Sequence, residues 1–257
     1  MNVLSLFSGI GGLELGLERA GMTTVGQVEL DPYCRLVLER HWPEVPRHDD
    51  ARTAGAWWLS QSRPPVDVVA GGFPCQPFSG LGLGLGIADE RWGWPWMESV
   101  VRAVRPRYVV VENVATLLGD SGAFGWVLSD LADLGMDAEW GVLPACAVGA
   151  PHRRERLFLV AYPHRVDGGQ GLGIGQELGL PRIAWGITEG KRSRTAARAW
   201  RDRVDRAVAA SRADDREADG DARRMVAAGG NAVVPQVAEH IGRLIVAHHN
   251  LTQERAA

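Results

Sequence analysis

The residues best suited to chemistry lie in Asp67-Val-Val-Ala-Gly-Gly-Phe-Pro-Cys75-Gln-Pro-Phe-Ser79. A short apolar run reads as a buried strand, two glycines end it, and a cysteine follows between Pro74 and Gln76. A cysteine in a loop at the carboxyl end of a strand is where layered α/β enzymes place a nucleophile. Most cysteines are inert core residues, and Cys34 and Cys146 read that way. Cys75 differs because its neighbours are turn formers.

A second constellation opens the chain. Phe7-Ser8-Gly9-Ile10-Gly11-Gly12 lies between a strand-like and a helix-like stretch, where α/β folds bind nucleotides. Glycines let the backbone approach a ligand closely. The dinucleotide fingerprint asks for a further glycine where this chain has Glu14, so the turn reads either as a nucleotide cradle or as a tight structural turn. Glu29 closes the next strand-like run, where a carboxylate can accept both hydroxyls of a ribose. Asp31 reads as a helix cap. Asp49 and Asp50 stand at the following strand end and read either as a solvated turn or as acceptors for an adenine amino group. Glu112 ends a β-branched run, and Arg154 and Arg156 alternate on an extended segment, which turns both to one side.

The elements that must position these residues alternate between strand and helix, the pattern of a layered α/β sheet. Strands are expected over residues 2–7, 24–28, 66–70, 108–111 and 156–161. Helices are expected over 13–20, 32–41, 97–104 and 124–134, with Pro32 at a first helical position and Gly21, Pro106 and Gly135 as stops. A last helix opens at Pro235, with Val237, Ile241, Leu244 and Ile245 on one face. Between them the character changes: residues 163–190 are glycine-rich, and 191–224 are dense in Arg, Asp and Ala, with one solvated helix over 196–210. The organisation is therefore a catalytic and cofactor-binding part over 1–161, a loop-rich part over 162–228, and a terminal part over 229–257 that returns to the first.

Composition narrows the class. A chain of 257 residues, 46% hydrophobic and 23% charged, can build a core and is not a disordered polymer. A net charge of −3 argues against a polybasic nucleic-acid binder, so any such surface is local. Three separated cysteines without a CxxC pair predict reduced thiols and no metal site. No apolar run is long enough for a membrane span, and the opening stretch lacks the basic segment and cleavage site of a secretory leader. A cytoplasmic protein without membrane contact is expected.

Taken in order, these segments resemble the cytosine-5 DNA methyltransferases. The resemblance rests on Phe7-Ser8-Gly9-Ile10-Gly11-Gly12, Gly71-Gly72-Phe73-Pro74-Cys75-Gln76-Pro77-Phe78-Ser79, Glu112-Asn113-Val114, Pro151-His152-Arg153-Arg154-Glu155-Arg156 and Gly230-Asn231-Ala232-Val233-Val234-Pro235. His152 stands where that family usually has glutamine. The resemblance implies a Rossmann-like, S-adenosylmethionine-dependent fold. It consists of a mixed, mostly parallel sheet with helices on both faces, plus a small irregular target-recognition segment. It implies Cys75 as nucleophile, Glu112 as the acid that holds the base, and Arg154 and Arg156 as supports for the base carbonyl and for Glu112. It implies a cofactor pocket of Phe7, Gly9, Gly11, Gly12, Glu29, Leu30, Asp50, Pro74, Asn231 and Val233.

Residues 79–96 resemble the family's DNA-closing loop, with Gln76, Ser79 and Arg91 as DNA contacts. Trp92, Trp94 and Trp96 either belong to that loop or pack on the core. The partner implied is double-stranded DNA, met by a monomer, with a cognate restriction endonuclease as functional companion in a restriction–modification or phage-protection system. The family usually carries a larger recognition domain than residues 162–228 supply. A DNA-binding homologue without turnover is therefore kept as an alternative. The tRNA-modifying branch is another, although its Cys-Phe-Thr signature is absent.

Overall fold

In the computed structural model, residues 1–75, 92–119, 122–148, 154–164, 172, 185–187 and 233–254 are described. The strands are β1 (Asn2–Leu6), β2 (Thr23–Val28), β3 (Arg47–His48), β4 (Val68–Gly71), β5 (Tyr108–Val114), β6 (Met136–Pro144), β7 (Glu155–Pro163) and β8 (Trp185–Ile187). The helices are α1 (Gly12–Arg19), α2 (Pro32–His41), α3 (Ala54–Leu59), α4 (Trp94–Val104), α5 (Ala123–Asp133) and α6 (Pro235–Glu254).

Alternation along the strands gives the sheet two apolar faces, which is why it is covered on both sides. Val3, Val68 and Val110 point to the side where Leu13 and Leu17 of α1 meet Val237, Ile241 and Ile245 of α6. Leu4, Val69 and Val109 point to the other side, against Trp58 of α3, Met97 and Val100 of α4, and Val127 and Leu131 of α5. The strand order is β3-β2-β1-β4-β5-β7-β6-β8. The first five are parallel, whereas β7 runs antiparallel to both β5 and β6, and β8 antiparallel to β6. The expected mixed, mostly parallel sheet with helices on both faces is the one observed.

The chain moves outward from β1 to β2 and β3, then returns to the other side of β1 as β4. This reversal opens a crevice beyond the carboxyl ends of β1 and β4, where open α/β sheets bind ligands. The glycine turn leaves from one strand and the Cys75 loop from the other. The two ends are close: a Cβ on Gly71 would stand 2.7 Å from the Leu6 carbonyl oxygen.

Three elements escape the sequence pattern, namely α3, the nine-residue β6 and β8, which is a strand within a part read as loop-rich. β6 carries Asp137, Glu139 and Gly141 among its apolar residues, so it lacks the β-branched run that marks β5. Trp94 and Met97 are fully buried, and α4 begins at Trp94 with Pro95 in its first turn. Trp92 and Trp94 therefore belong to the core rather than to a DNA-facing loop. The Trp94 indole also donates to Asp130 Oδ2 at 2.7 Å, tying α4 to α5.

The terminal helix α6 packs on α1. Gly16 of α1 is in contact with α6: an added Cβ would lie 2.4 Å from both Ala238 Cβ and the Pro235 carbonyl. Overpacking of this kind costs about 1–3 kcal/mol. Gly16→Val is thus expected to lose about that much stability in urea unfolding. A variant as stable as the parent would show that α6 does not dock there. Among the described residues no helix is long and apolar enough to cross a membrane.

Candidate active site

The glycine turn is built by strain and by packing. Phe7 has φ +54°, a conformation costly for a non-glycine residue. Gly9 and Gly11 also have positive φ, which suits glycine. Their surroundings differ. A Cβ on Gly9 would meet nothing within 4 Å, so that backbone faces open space. On Gly11 it would strike the Trp42 ring at 2.4 Å, and on Gly12 the Val233 carbonyl oxygen at 2.3 Å. Gly12 thus lets the chain before α6 close on the glycine turn, which sets Val233 beside it.

Glu29 follows β2 and is fastened on both oxygens. Oε2 accepts the Gly9 N–H and Oε1 the Asp31 N–H, each at 2.7 Å. The carboxylate is thereby oriented beside the glycine turn, with lone pairs left for a diol. Leu30 beside it is 71% exposed, an apolar surface at a strand tip able to cover a purine. Asp31 caps α2, accepting from Tyr33 N and Cys34 N. The Glu29 N–H donates to the His48 carbonyl, which extends the pairing of β2 with β3 and sets Asp49 and Asp50 beside this tip. Asp50 is gripped by Arg52, whose guanidinium and backbone N–H hold its carboxyl below the usual range. Asp49 points outward, with a side chain 66% exposed. Open space at Gly9, the braced Glu29 and exposed Leu30 together fit the sugar and base of an adenosine.

Beneath the turn lies a residue the sequence reading passed over as a missing glycine. Glu14 is fully buried near the Ser5 and Ser8 hydroxyls, themselves 3.1 Å apart. Burial pushes its carboxyl up to about 7, although those hydroxyls pull the other way. The folded protein then holds a proton that the unfolded chain loses near 4.5, so stability falls as pH rises from about 4.5 through about 7. Glu14→Gln is free of this penalty. Its stability relative to the parent is expected to rise by about 2–3 kcal/mol between pH 5 and pH 8. Urea titrations at both pH values check this, and an unchanged difference would refute it.

The second half of the site is formed by β4, β5 and β7. Cys75 is buried, in a loop fixed at several points. The Asn113 amide donates to the Phe73 carbonyl at 3.1 Å, and the Gly93 N–H to the Pro74 carbonyl at 3.2 Å. A Cβ on Gly72 would stand 2.8 Å from Glu112 Oε2, so glycine there lets the carboxylate lie against the base of the cysteine loop. Glu112 is itself buried, and Arg156 Nε lies 3.2 Å from its Oε1. Register explains the pairing: Val114 is opposite Arg156, and Glu112 opposite Phe158, so the two side chains are diagonal neighbours. Burial raises the Glu112 carboxyl to about 7, against the pull of Arg156 and Arg154. Burial and the neighbouring Arg156 lower the Arg154 guanidinium from its ordinary value, while Glu112 counteracts this.

Glu112, Arg154 and Arg156 are therefore brought together, and Asn113 and Gly72, motif residues to which the sequence assigned no role, join them. Gln76, Ser79, Arg91 and Asn231 lie outside the described residues.

The reversal of strand order between β1 and β4, with a loop cysteine after β4 and a buried carboxyl on β5 beside it, defines a Rossmann-like α/β fold with its site at the carboxyl ends of the strands. Residues 1–168 match the C-5 cytosine-specific DNA methylase family, and the chain belongs to that family. Type II methyltransferase M2.BsuMI of Bacillus subtilis is 37% identical over 168 residues, covering 63% of this chain and 42% of that protein. Type II methyltransferase M.NgoBI of Neisseria gonorrhoeae is 36% identical over 166 residues, 63% of this chain and 51% of that protein. The chain thus spans about half the length of these curated relatives. The Dnmt2 methyltransferase of S. pombe superposes with a TM-score of 0.55 at 22% identity, over 66% of this chain and 53% of that one, which shows a shared fold.

Proposed function

We propose that this protein is a DNA cytosine-5 methyltransferase using S-adenosylmethionine. The observation that carries the reading is the junction of the Cys75 loop with Glu112 and Asn113, beside a turn suited to adenosine. S-adenosylmethionine supplies an electrophilic methyl group when bound. Phe7, Gly9, Gly11, Gly12 and Val233 line its place, Glu29 takes the ribose diol, and Leu30 and Asp50 meet the adenine face and amine. Pro74 borders the transferred methyl.

Carbon 5 of cytosine is a weak nucleophile, and a base inside a duplex is beyond the reach of Cys75, so the base must leave the stack. The Cys75 thiolate adds to carbon 6, and the displaced π pair makes carbon 5 nucleophilic. Glu112 gives or shares a proton at the ring nitrogen, which limits the charge that builds there. Arg156 orients Glu112, and Arg154 serves the base carbonyl. Carbon 5 takes the methyl group as the donor's sulfonium becomes a thioether. The carbon 5 proton then leaves to solvent, the re-formed double bond expels the thiolate, and the ring nitrogen returns its proton to Glu112.

Residues 162–228 serve as a shortened target-recognition region, and the enzyme works as a monomer in the cytoplasm, within a restriction–modification or phage-protection system. Bisulfite sequencing of a plasmid from a host expressing the chain tests this, with protected cytosines in a defined motif as the expected result. Complete conversion, together with no labelled methyl reaching DNA in vitro, would overturn it. Because the chain covers only about half of its relatives, a DNA-binding homologue without turnover is the second reading. It predicts DNA binding without an adduct on 5-fluorocytosine DNA.

A further inference from the structure

Glu139 is 2% exposed and lies on β6, far along the sheet from Cys75. Burying a carboxyl is expensive unless its oxygens are hydrogen-bonded, and an apolar side chain would fill the space at lower cost. Its Oε1 accepts the Tyr162 hydroxyl of β7 at 2.8 Å and also the backbone N–H of Leu172. Leu172 is itself buried, in the core shared by Tyr162, Leu244 and Ile245. Thirteen positions later the chain rejoins the same place, since β8 pairs with β6 through Glu139↔Ile187, Trp140↔Gly186 and Gly141↔Trp185.

Tyr162 in turn packs on His248 of α6, ring centroids 5.1 Å apart, and His248 Nδ1 lies 2.9 Å from the Tyr108 hydroxyl. α6 begins just after Val233, which rests on Gly12. Leu172 and Val233, which bracket most of the part read as recognising DNA, are thus both referred to one helix. β8 and β1 stand five strand positions apart, about 24 Å, with the strands that carry or lead to Cys75, Glu112 and Arg156 between them.

We propose that Glu139 and Tyr162 form a buried latch that fixes the chain at Leu172 and β8 to the catalytic sheet and so positions the DNA-recognising part relative to Cys75. These are positioning residues, and their role in DNA recognition rests on the function proposed above. Removal of a hydrogen-bonding carboxylate is worth roughly a tenfold change or more in an equilibrium constant. Glu139→Leu is therefore expected to raise KM for supercoiled plasmid DNA about tenfold or more, with kcat and KM for S-adenosylmethionine within about twofold. Tyr162→Phe, which keeps the ring on His248, is expected to act in the same direction but less. Glu139→Gln, which keeps an acceptor, is expected to stay near the parent.

Hydrogen exchange supplies the second readout. In Glu139→Leu, the amides of Leu172 and of residues 185–187 are expected to exchange faster, while those of β5 and α6 stay protected. Unchanged exchange at Leu172 and at residues 185–187 overturns the latch. Faster exchange with unchanged KM for DNA overturns the positioning role. Equal losses in both KM values, kcat and melting temperature would make Glu139 a general fold pin and also overturn it. A parent protein that methylates no DNA refutes the proposed function, whereas the exchange measurement still decides the latch.

Discussion

Cys75→Ser is expected to lower the proposed methyl transfer to DNA by at least ~10³-fold while S-adenosylmethionine binding and melting temperature stay near those of the parent. The hydroxyl is nearly isosteric with the thiol, and Cys75 is buried among apolar neighbours, so the fold has little to lose. The chemistry has much to lose, because a serine hydroxyl forms almost no anion at neutral pH and adds poorly to carbon 6. The adduct separates this from a packing effect. On duplex DNA containing 5-fluorocytosine the parent is expected to form a band that survives denaturing electrophoresis, since the fluorine blocks the final proton loss. Cys75→Ser is expected to form none. Full transfer by the serine variant would overturn the nucleophilic role.

The second large effect belongs to Glu112. Glu112→Gln keeps a similar shape and a hydrogen-bond donor for the ring nitrogen, but has no proton to give. General acid catalysis is worth about 10²–10⁴-fold, and a loss in that range is expected in single-turnover assays. Its pH dependence identifies the cause. With its carboxyl raised to about 7 by burial, Glu112 is mostly protonated at pH 6 and mostly ionised at pH 8. The parent therefore loses the required form as pH rises through about 7, whereas the amide does not titrate. The ratio of variant to parent rate is expected to rise over that interval, and any effect of pH on Cys75 cancels in it. A ratio constant from pH 6 to pH 8 would mean that Glu112 acts only by holding its ion pair with Arg156.

Much of the positioning was legible from local pattern. The caps and stops of α2 are local chemistry: Asp31 accepts from the first turn and Pro32 opens it. β5 announces itself by its β-branched run, and α6 by an apolar face that does bury Val237, Ile241 and Ile245. β6 was illegible because Glu139 makes it look half-solvated, and only Tyr162 and Leu172, neighbours in space but not in sequence, make that acid a buried one. Glu14 was read as a departure from a glycine pattern. In the folded protein it is a fully buried acid near the Ser5 and Ser8 hydroxyls.

By itself the sequence determined which groups are available: a thiol flanked by Pro74 and Gln76, a carboxyl after a hydrophobic strand, two arginines on one face, and a glycine turn between strand and helix. Those are properties of residue type and short-range spacing. Only the tertiary structure decided which of them meet. The return of β4 beside β1 places the Cys75 loop next to the glycine turn. The antiparallel register of β7 on β5 sets Arg156 on Glu112, and that burial moves the Glu112 carboxyl towards neutrality. Strand order, register and burial arise from contacts between segments far apart in the chain, and no local pattern encodes them.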